Sequence, residues 1–163
     1  MKRVVIYAVL LVAAVGLWLY THSDRAEITR LFREIEKTAS REAGEPTMEG
    51  AMRAQTLASC IHDGCQVEIP ELGFSYALSK NDFAAAVLSC RSSVQTLKVR
   101  FVKLNIESAS GTASVRGILD LSGSDASPDL PEPAAHLFES TLEKDSDGKW
   151  RFTRAALLSS DGE

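Results

Sequence analysis

An uncharged run of seventeen residues, Val4 to Tyr20, follows the basic pair Lys2-Arg3 at the start of the chain. Such a run is costly to expose to water. As a helix rising 1.5 Å per residue it reaches about 25 Å, near the short end of the range that spans a bilayer. Trp18 and Tyr20 end the run, and both residue types favour the lipid–water boundary. The run therefore predicts an N-terminal membrane anchor within residues 1–23.

A secretory signal peptide is the alternative to a retained anchor. Cleavage after Thr21-His22-Ser23 would then release a mature chain that begins at Asp24. The apolar run is longer than the hydrophobic core of a typical signal peptide, which has about 7–15 residues. This length favours an anchor that is retained. The basic start favours a cytoplasmic N-terminus. We therefore expect the domain that follows to lie outside the cytoplasm, in the periplasm or the extracellular space.

The rest of the chain has the size of one globular domain, residues 24–158, followed by a short tail, 159–163, that is predicted to fray. The net charge of −4 lacks the basic excess that nucleic-acid binding requires, so we expect no nucleic-acid partner. The sequence contains no phosphate-binding glycine loop, no Ser-His-Asp order and no metalloprotease helix. We therefore predict no cofactor.

Three cysteines occur in the chain, at Cys60, Cys65 and Cys90. Cys60 and Cys65 are the nearest pair in sequence and a possible disulfide in an oxidising compartment. Geometry could instead favour a bridge from either of them to Cys90, and buried free thiols are a further alternative. Together with His62 the cysteines match no standard zinc spacing, so no metal site is predicted.

Hydrophobic periodicity predicts three helices and six strands. Apolar residues recur at helical spacing in three segments: Ile28, Leu31, Phe32 and Ile35; Ala54, Leu57, Ala58 and Ile61, ending at Gly64; and Phe83, Ala86, Val87 and Cys90, capped by Ser79 with Asp82. A period of two predicts short strands at Cys65–Ile69 and Phe74–Leu78, and four long antiparallel strands between about Val94 and Leu158.

The alternation changes parity within the first long strand. Leu97, Val99 and Phe101 share one parity, whereas Val102, Leu104 and Ile106 share the other. A strand cannot change faces without an extra residue. We therefore predict a β-bulge near Phe101–Val102, or else a strand that is buried on both faces.

Three segments carry a resemblance to a known family: His62–Ile69, Ser79–Phe83 and Asp147–Phe152. With the element order helix, helix, strand, strand, helix and four strands, residues 24–158 resemble the nuclear transport factor 2-like superfamily, the cone-shaped fold of ketosteroid isomerases and polyketide cyclases. The resemblance implies an α+β fold with three helices on a strongly curved, mainly antiparallel mixed sheet. It also implies a conical cavity, which in some relatives binds an apolar ligand or performs acid–base chemistry and in others is unused.

The resemblance points to two candidates for a general base. Asp63 lies at the junction where ketosteroid isomerase-like members place this base, and His62 beside it is the second candidate. These members also present a tyrosine donor from the first helix. The first predicted helix here contains no tyrosine, which weighs against isomerase chemistry.

Four further residues are candidates for ligand binding. His136 and Ser140 share the parity of Phe138, so they would point into the cone. Arg154 shares the parity of Trp150 and Phe152, and beside His136 it would hold an anionic or polar head group. The alternative places His136 and Arg154 at the open rim or on the solvent face. Tyr76 belongs to a short strand near the predicted mouth of the cone.

These observations favour a membrane-anchored, non-catalytic binding or assembly domain outside the cytoplasm. Its partner would be a small ligand, another protein or its own copy. The resemblance implies dimerisation through the outer face of the sheet, where Ile118 or Leu137 would suit the contact. The alternative is a lyase or isomerase of the ketosteroid isomerase type that uses Asp63 or His62 as its base.

Overall fold

A computed structural model of the protein describes residues 23–70, 73–125 and 134–158. The predicted anchor Val4–Tyr20 and the predicted tail 159–163 lie outside the described residues. None of the helices in the described ranges has the length and apolar character that a membrane crossing requires.

The described elements follow the predicted order of helices and strands. They are α1 (Asp24–Ala39), α2 (Thr47–Ala58), β1 (Ile61–Ile69), β2 (Phe74–Leu78), α3 (Lys80–Ser93), β3 (Val94–Ala109), β4 (Thr112–Asp125), β5 (Ala134–Lys144) and β6 (Trp150–Leu158). The six described strands join one mixed sheet in the order β2-β1-β6-β5-β4-β3, and among them only the β1–β6 pair is parallel. The α+β class and the three helices on a mixed sheet are confirmed.

Helix α1 packs on the sheet through the apolar stripe that its sequence predicts. Ser23 caps the helix, because its hydroxyl accepts a hydrogen bond from the Ala26 amide at 3.3 Å. Phe32 is fully buried and lies between the rings of three sheet residues, Phe101, Phe138 and Phe152, with centroids 4.9–5.8 Å away. Such edge-on and tilted contacts stabilise a core by more than the burial of their apolar surface alone. This aromatic cluster ties α1 to β3, β5 and β6.

Helix α2 is shorter than its sequence pattern predicts. It ends at Ala58, and Ile61 already pairs with Phe152 in the sheet, so placing Ile61 in the helix was wrong. The reason is tertiary, because the Phe152 amide donates to the Cys60 carbonyl at 2.9 Å and draws the chain into β1. Gly64, at φ +79°, lies within the irregular register that separates Ile61 from Gln66.

Helix α3 begins as predicted, with the Ser79 hydroxyl accepting from the Asp82 amide at 3.1 Å. Its buried face differs from the prediction. Ala84 and Arg91 are buried, whereas Ala86 and Cys90 are exposed. The helix is rotated because Arg91 finds a buried carboxylate partner, which a count of apolar residues does not reveal.

The predicted bulge in β3 is confirmed, slightly further along the strand. The register with β4 is irregular between Val102 and Asn105, and Lys103 has φ +54°. The extra residue turns Leu104 and Ile106 toward the core. Val102 was assigned to the same set, but it lies before the bulge and is exposed on the opposite face.

Candidate functional site

A cavity of about 250 Å³ lies between the helices and the concave face of the sheet. The helices contribute Phe32 and Ile35 from α1, Leu57 from α2 and Phe83 from α3. The sheet contributes mainly apolar residues, among them Val67, Ile69, Leu119, Phe138, Phe152, Ala155 and Leu157. Although Phe83, Phe101 and Phe138 all line the cavity, they do not pack it shut.

The polar side chains around the cavity are few and mostly engaged elsewhere. Ser140 is almost fully buried, and its hydroxyl lies 3.5 Å from the Val115 carbonyl, to which it donates. Glu68 and Glu139 belong to the lining, but their carboxylates pair with arginines whose side chains are exposed, Arg154 and Arg116. The hydrogen bond from Arg154 also lowers the pKa of Glu68. The cavity is therefore an apolar chamber with one buried hydroxyl group.

Arg154 does not point into the cavity, so its predicted orientation is wrong. Its guanidinium binds the Glu68 carboxylate at 2.7 Å on the exposed side of the sheet. The cause is a second bulge: Thr141 pairs with Arg154 and Leu142 pairs with Phe152, which leaves Thr153 without a cross-strand position. Beyond Thr153, the residues that face the cavity therefore have the opposite parity to Trp150 and Phe152. Arg154 lies on the solvent face, as the alternative prediction stated.

The other two predicted ligand-binding residues lie beyond the cavity wall. His136 pairs with Leu119 near the start of β5, on the face that carries Phe138, but it is half-buried and does not line the cavity. Tyr76 is 59% exposed in the edge strand β2, with its ring 4.6 Å from Phe74. Ser140 is thus the one candidate of the four that lines the cavity.

Neither candidate for a general base lines the cavity. The Asp63 carboxylate is exposed and accepts a hydrogen bond from the Lys80 amide at 3.0 Å, so it helps to hold the first turn of α3. His62 is half-buried, and its Nε2 atom is buried with no hydrogen-bond partner among the described residues. The structure therefore brings neither His62 nor Asp63 into the cavity with Ser140.

Comparison with known proteins rests on structure, since no protein-family model and no curated protein matches the chain. A candidate scytalone dehydratase from Novosphingobium aromaticivorans is 16% identical, with a TM-score of 0.65 over 86% of this chain and 88% of that one. A nuclear transport factor 2-like protein from Cytophaga hutchinsonii is 15% identical, with a TM-score of 0.63 over 84% and 98%. This chain has the nuclear transport factor 2-like fold. The resemblance found in the sequence is confirmed at the level of fold.

A second protein from Novosphingobium aromaticivorans, described as nuclear transport factor 2-like with a cystatin-like fold, is also similar. It is 16% identical, with a TM-score of 0.65 over 93% of this chain and 90% of that one. At sequence identities this low, structural similarity establishes the architecture of the nuclear transport factor 2-like cone but does not establish a reaction. The chemistry of this domain must be read from its own cavity.

Two thiols in the wall of the nuclear transport factor 2-like cone were predicted only as a possible disulfide and not as part of the cavity. Cys60 and Cys65 are both free and both line the cavity, so the possible disulfide between them is not formed. Burial raises the pKa of Cys65 to about 11, so this thiol is neutral at physiological pH.

Metal binding finds no support in the described part of the cone. Within residues 23–70, 73–125 and 134–158 there is no group of three or more His, Cys, Asp or Glu side chains that could hold an ion. Cys90 lies exposed on α3, whereas Cys65 is buried in the sheet. The three cysteines therefore do not form a metal-binding cluster within the described residues.

Proposed function

We propose that this domain binds a small, uncharged, apolar molecule and does not transform it. The observation that carries the proposal is the open cavity of about 250 Å³, whose walls are hydrocarbon apart from Ser140, the two neutral thiols and the arginine-paired carboxylates of Glu68 and Glu139. An apolar cavity of about 150 Å³ stays dry and binds benzene, so this larger one suits a somewhat larger aromatic or aliphatic body. Burial of such a ligand is favourable because it removes apolar surface from water.

The placement of charge supports binding over catalysis. A lyase or isomerase of the ketosteroid isomerase type needs a base within hydrogen-bond reach of the substrate proton. Asp63 is exposed and bound to the Lys80 amide, and His62 does not line the cavity. The lining glutamates, Glu68 and Glu139, are neutralised by arginines on the exposed side.

We also propose that the domain is tethered to a membrane by Val4–Tyr20, with the cone outside the cytoplasm. The uncharged run and its basic flank support this proposal. Helix α1 begins at Asp24, four residues beyond Tyr20, so the connection is short. A cone held this close to a bilayer would meet apolar molecules where they concentrate.

A third part of the proposal is self-association through the outer face of the sheet. Val102, Ile118, Leu137 and Leu158 are consecutive cross-strand partners and form one apolar row over four strands. Three of the four are large exposed hydrophobic residues. The Arg116–Glu139 ion pair borders the row and offers both signs of charge. Such a row is self-complementary under two-fold rotation, as an isologous dimer requires.

The test of ligand binding uses the full-length chain in lipid nanodiscs, with naphthalene as the probe and empty nanodiscs as the reference for partitioning. We expect the amide NMR signals of cavity residues such as Ser140 and Ala155 to shift saturably. Ala155→Leu fills the cavity and should abolish the shifts, whereas Ala85→Leu, at an exposed position on α3 that does not line it, should not. Equal shifts in both variants, or none in the wild type, would refute the binding proposal.

The membrane tether has a separate test. We expect the full-length chain to remain in the membrane fraction after alkaline carbonate extraction, and a chain that begins at Asp24 to be released. Protease added to intact cells or spheroplasts should digest the cone. A mature chain whose mass shows the loss of residues 1–23 would replace the anchor with a cleaved signal peptide.

A further inference from the structure

A polar groove between α1 and α2 runs along the outside of the cavity wall. Its lining residues are Glu34, Ile35, Lys37, Thr38, Arg53, Thr56, Leu57 and Cys60. Three of them, Ile35, Leu57 and Cys60, also line the cavity. The two spaces are therefore adjacent and share one layer of side chains.

The wall is thinnest at Cys60, which has a shorter side chain than Ile35 or Leu57. The Cys60 backbone is fixed, because its carbonyl accepts a hydrogen bond from the Phe152 amide. Its thiol lies 3.5 Å from the Thr56 carbonyl in α2. Glu34 lines the groove together with Cys60. Burial raises the pKa of the Cys60 thiol and the negative charge of Glu34 adds to the rise, whereas Ser59 and Arg151 oppose it.

The rim of the groove carries one open acceptor and one open donor. Glu34 and Lys37 are exposed on α1, three residues apart, and neither side chain forms a hydrogen bond or ion pair within the described part of the chain. Arg53 is occupied, because it donates to the Glu49 carboxylate at 2.6 Å and to the carbonyls of Lys37 and Ser40 at 3.3 Å. Of the three charged side chains that line the groove, those of Glu34 and Lys37 are thus free to recognise a polar group.

We propose that the α1–α2 groove is the polar end of the ligand site, and that the ligand is an alcohol with an apolar body. The body fills the cavity, the chain passes Cys60, and the hydroxyl accepts a hydrogen bond from Lys37 and donates one to Glu34. A carboxylate head would be repelled by Glu34, and an ammonium head by Lys37. A hydroxyl is both donor and acceptor, and it matches the pair without a charge. This inference rests on the proposed binding function and names its ligand class.

The experiment compares three probes of one chain length, octane, 1-octanol and octanoate, on the full-length protein in nanodiscs. The readout is protection of Cys60 from alkylation by N-ethylmaleimide, followed by mass spectrometry, with exposed Cys90 as the internal reference. Probe concentrations are corrected for partitioning into empty nanodiscs. We expect 1-octanol to protect Cys60 with an affinity roughly twofold to tenfold above that of octane, the range of one net hydrogen bond. Octanoate should bind no better than octane.

Two single variants and one matched control locate the head group. Lys37→Met and Glu34→Gln should each remove most of the advantage of 1-octanol and leave the affinity for octane unchanged. Lys98→Met removes an exposed lysine on β3 that does not line the groove, and it should change neither affinity.

Substitutions at Cys60 test whether the ligand passes from the cavity into the groove at this residue, with binding measured by amide NMR at Ser140. Cys60→Trp thickens the wall and should weaken 1-octanol more than octane, whereas Cys60→Ala should preserve both. Circular dichroism confirms that each variant is folded. Should Cys60→Trp not fold, the alkylated wild-type protein replaces it.

The outcomes separate the two proposals. If none of the probes binds the wild type, the proposed binding function fails. If octane binds but 1-octanol gains nothing, or the gain survives both Lys37→Met and Glu34→Gln, the groove is not the polar end of the site and only this inference falls.

Discussion

The Arg91 guanidinium and the Glu45 carboxylate form a buried ion pair that joins α3 to the loop between α1 and α2. One guanidinium nitrogen donates to both carboxylate oxygens at 2.7 Å, and the two side chains are only 3% and 6% exposed. Another nitrogen of Arg91 donates to backbone carbonyls at the end of α1, including that of Thr38 at 3.0 Å. One side chain therefore holds three segments of the helical layer in place.

Removing the Glu45 charge should destabilise the domain strongly. In Glu45→Gln, the Arg91 charge stays buried without a counter-ion, and we expect a loss of about 3–5 kcal/mol in the free energy of unfolding. The measurement is urea denaturation followed by circular dichroism. The control is Glu139→Gln, which breaks the exposed pair with Arg116 and should cost less than about 1 kcal/mol. Similar losses in both variants would contradict the importance of the buried pair.

The bulge in β3 should tolerate glycine better than the rest of the strand does. Lys103 adopts φ +54°, a conformation that costs a side-chain-bearing residue about 1–2 kcal/mol. Lys103→Gly should therefore leave the free energy of unfolding unchanged or raise it by up to about 1 kcal/mol. Lys98→Gly, in the regular part of the same strand, should lower it by about 0.5–1 kcal/mol. If both variants lose stability equally, the bulge does not lie at Lys103.

Alkaline pH should destabilise the domain through Cys65. Burial raises the pKa of this thiol from 9.0 to about 11 in the folded state. Between those two values the unfolded chain loses the thiol proton while the folded chain keeps it, so the free energy of unfolding falls as pH rises. Chemical denaturation at pH 8, 9, 10 and 11 measures the decrease. Cys65→Ala should flatten this part of the profile, and an unchanged slope in that variant would assign it to other groups.

A charge in the apolar row should prevent self-association. Leu137 is 48% exposed at the centre of the row and pairs with both Ile118 and Leu158. We expect Leu137→Glu to shift the full-length chain from dimer to monomer in analytical ultracentrifugation, with the detergent density-matched. Met52→Glu, at a still more exposed apolar position on α2, should not. A wild type that is monomeric at all concentrations would overturn the dimer.

Part of the candidate site was accessible from local sequence pattern. The alternation in β5 assigned Ser140 and Phe138 to the concave face, and both line the cavity. The same reasoning failed for Arg154, because the bulge at Thr153 is followed by four consecutive apolar residues, 155–158, which occupy both parities and hide the shift. In β3 the break is visible, since apolar residues stand on both sides of the bulge, and the prediction there holds to within two residues.

The sequence by itself determined the order of the helices and strands, the stripe by which α1 meets the sheet, the existence of the β3 bulge and the resemblance to a cone. These features follow from local periodicity, because each element must carry apolar residues on the face that it buries. Only the tertiary structure decided the size of the cavity, the outward turn of Arg154 and the pairing of Arg91 with Glu45, 46 residues apart. Those depend on register and on contacts between distant segments, whose energies arise only when the chain is folded.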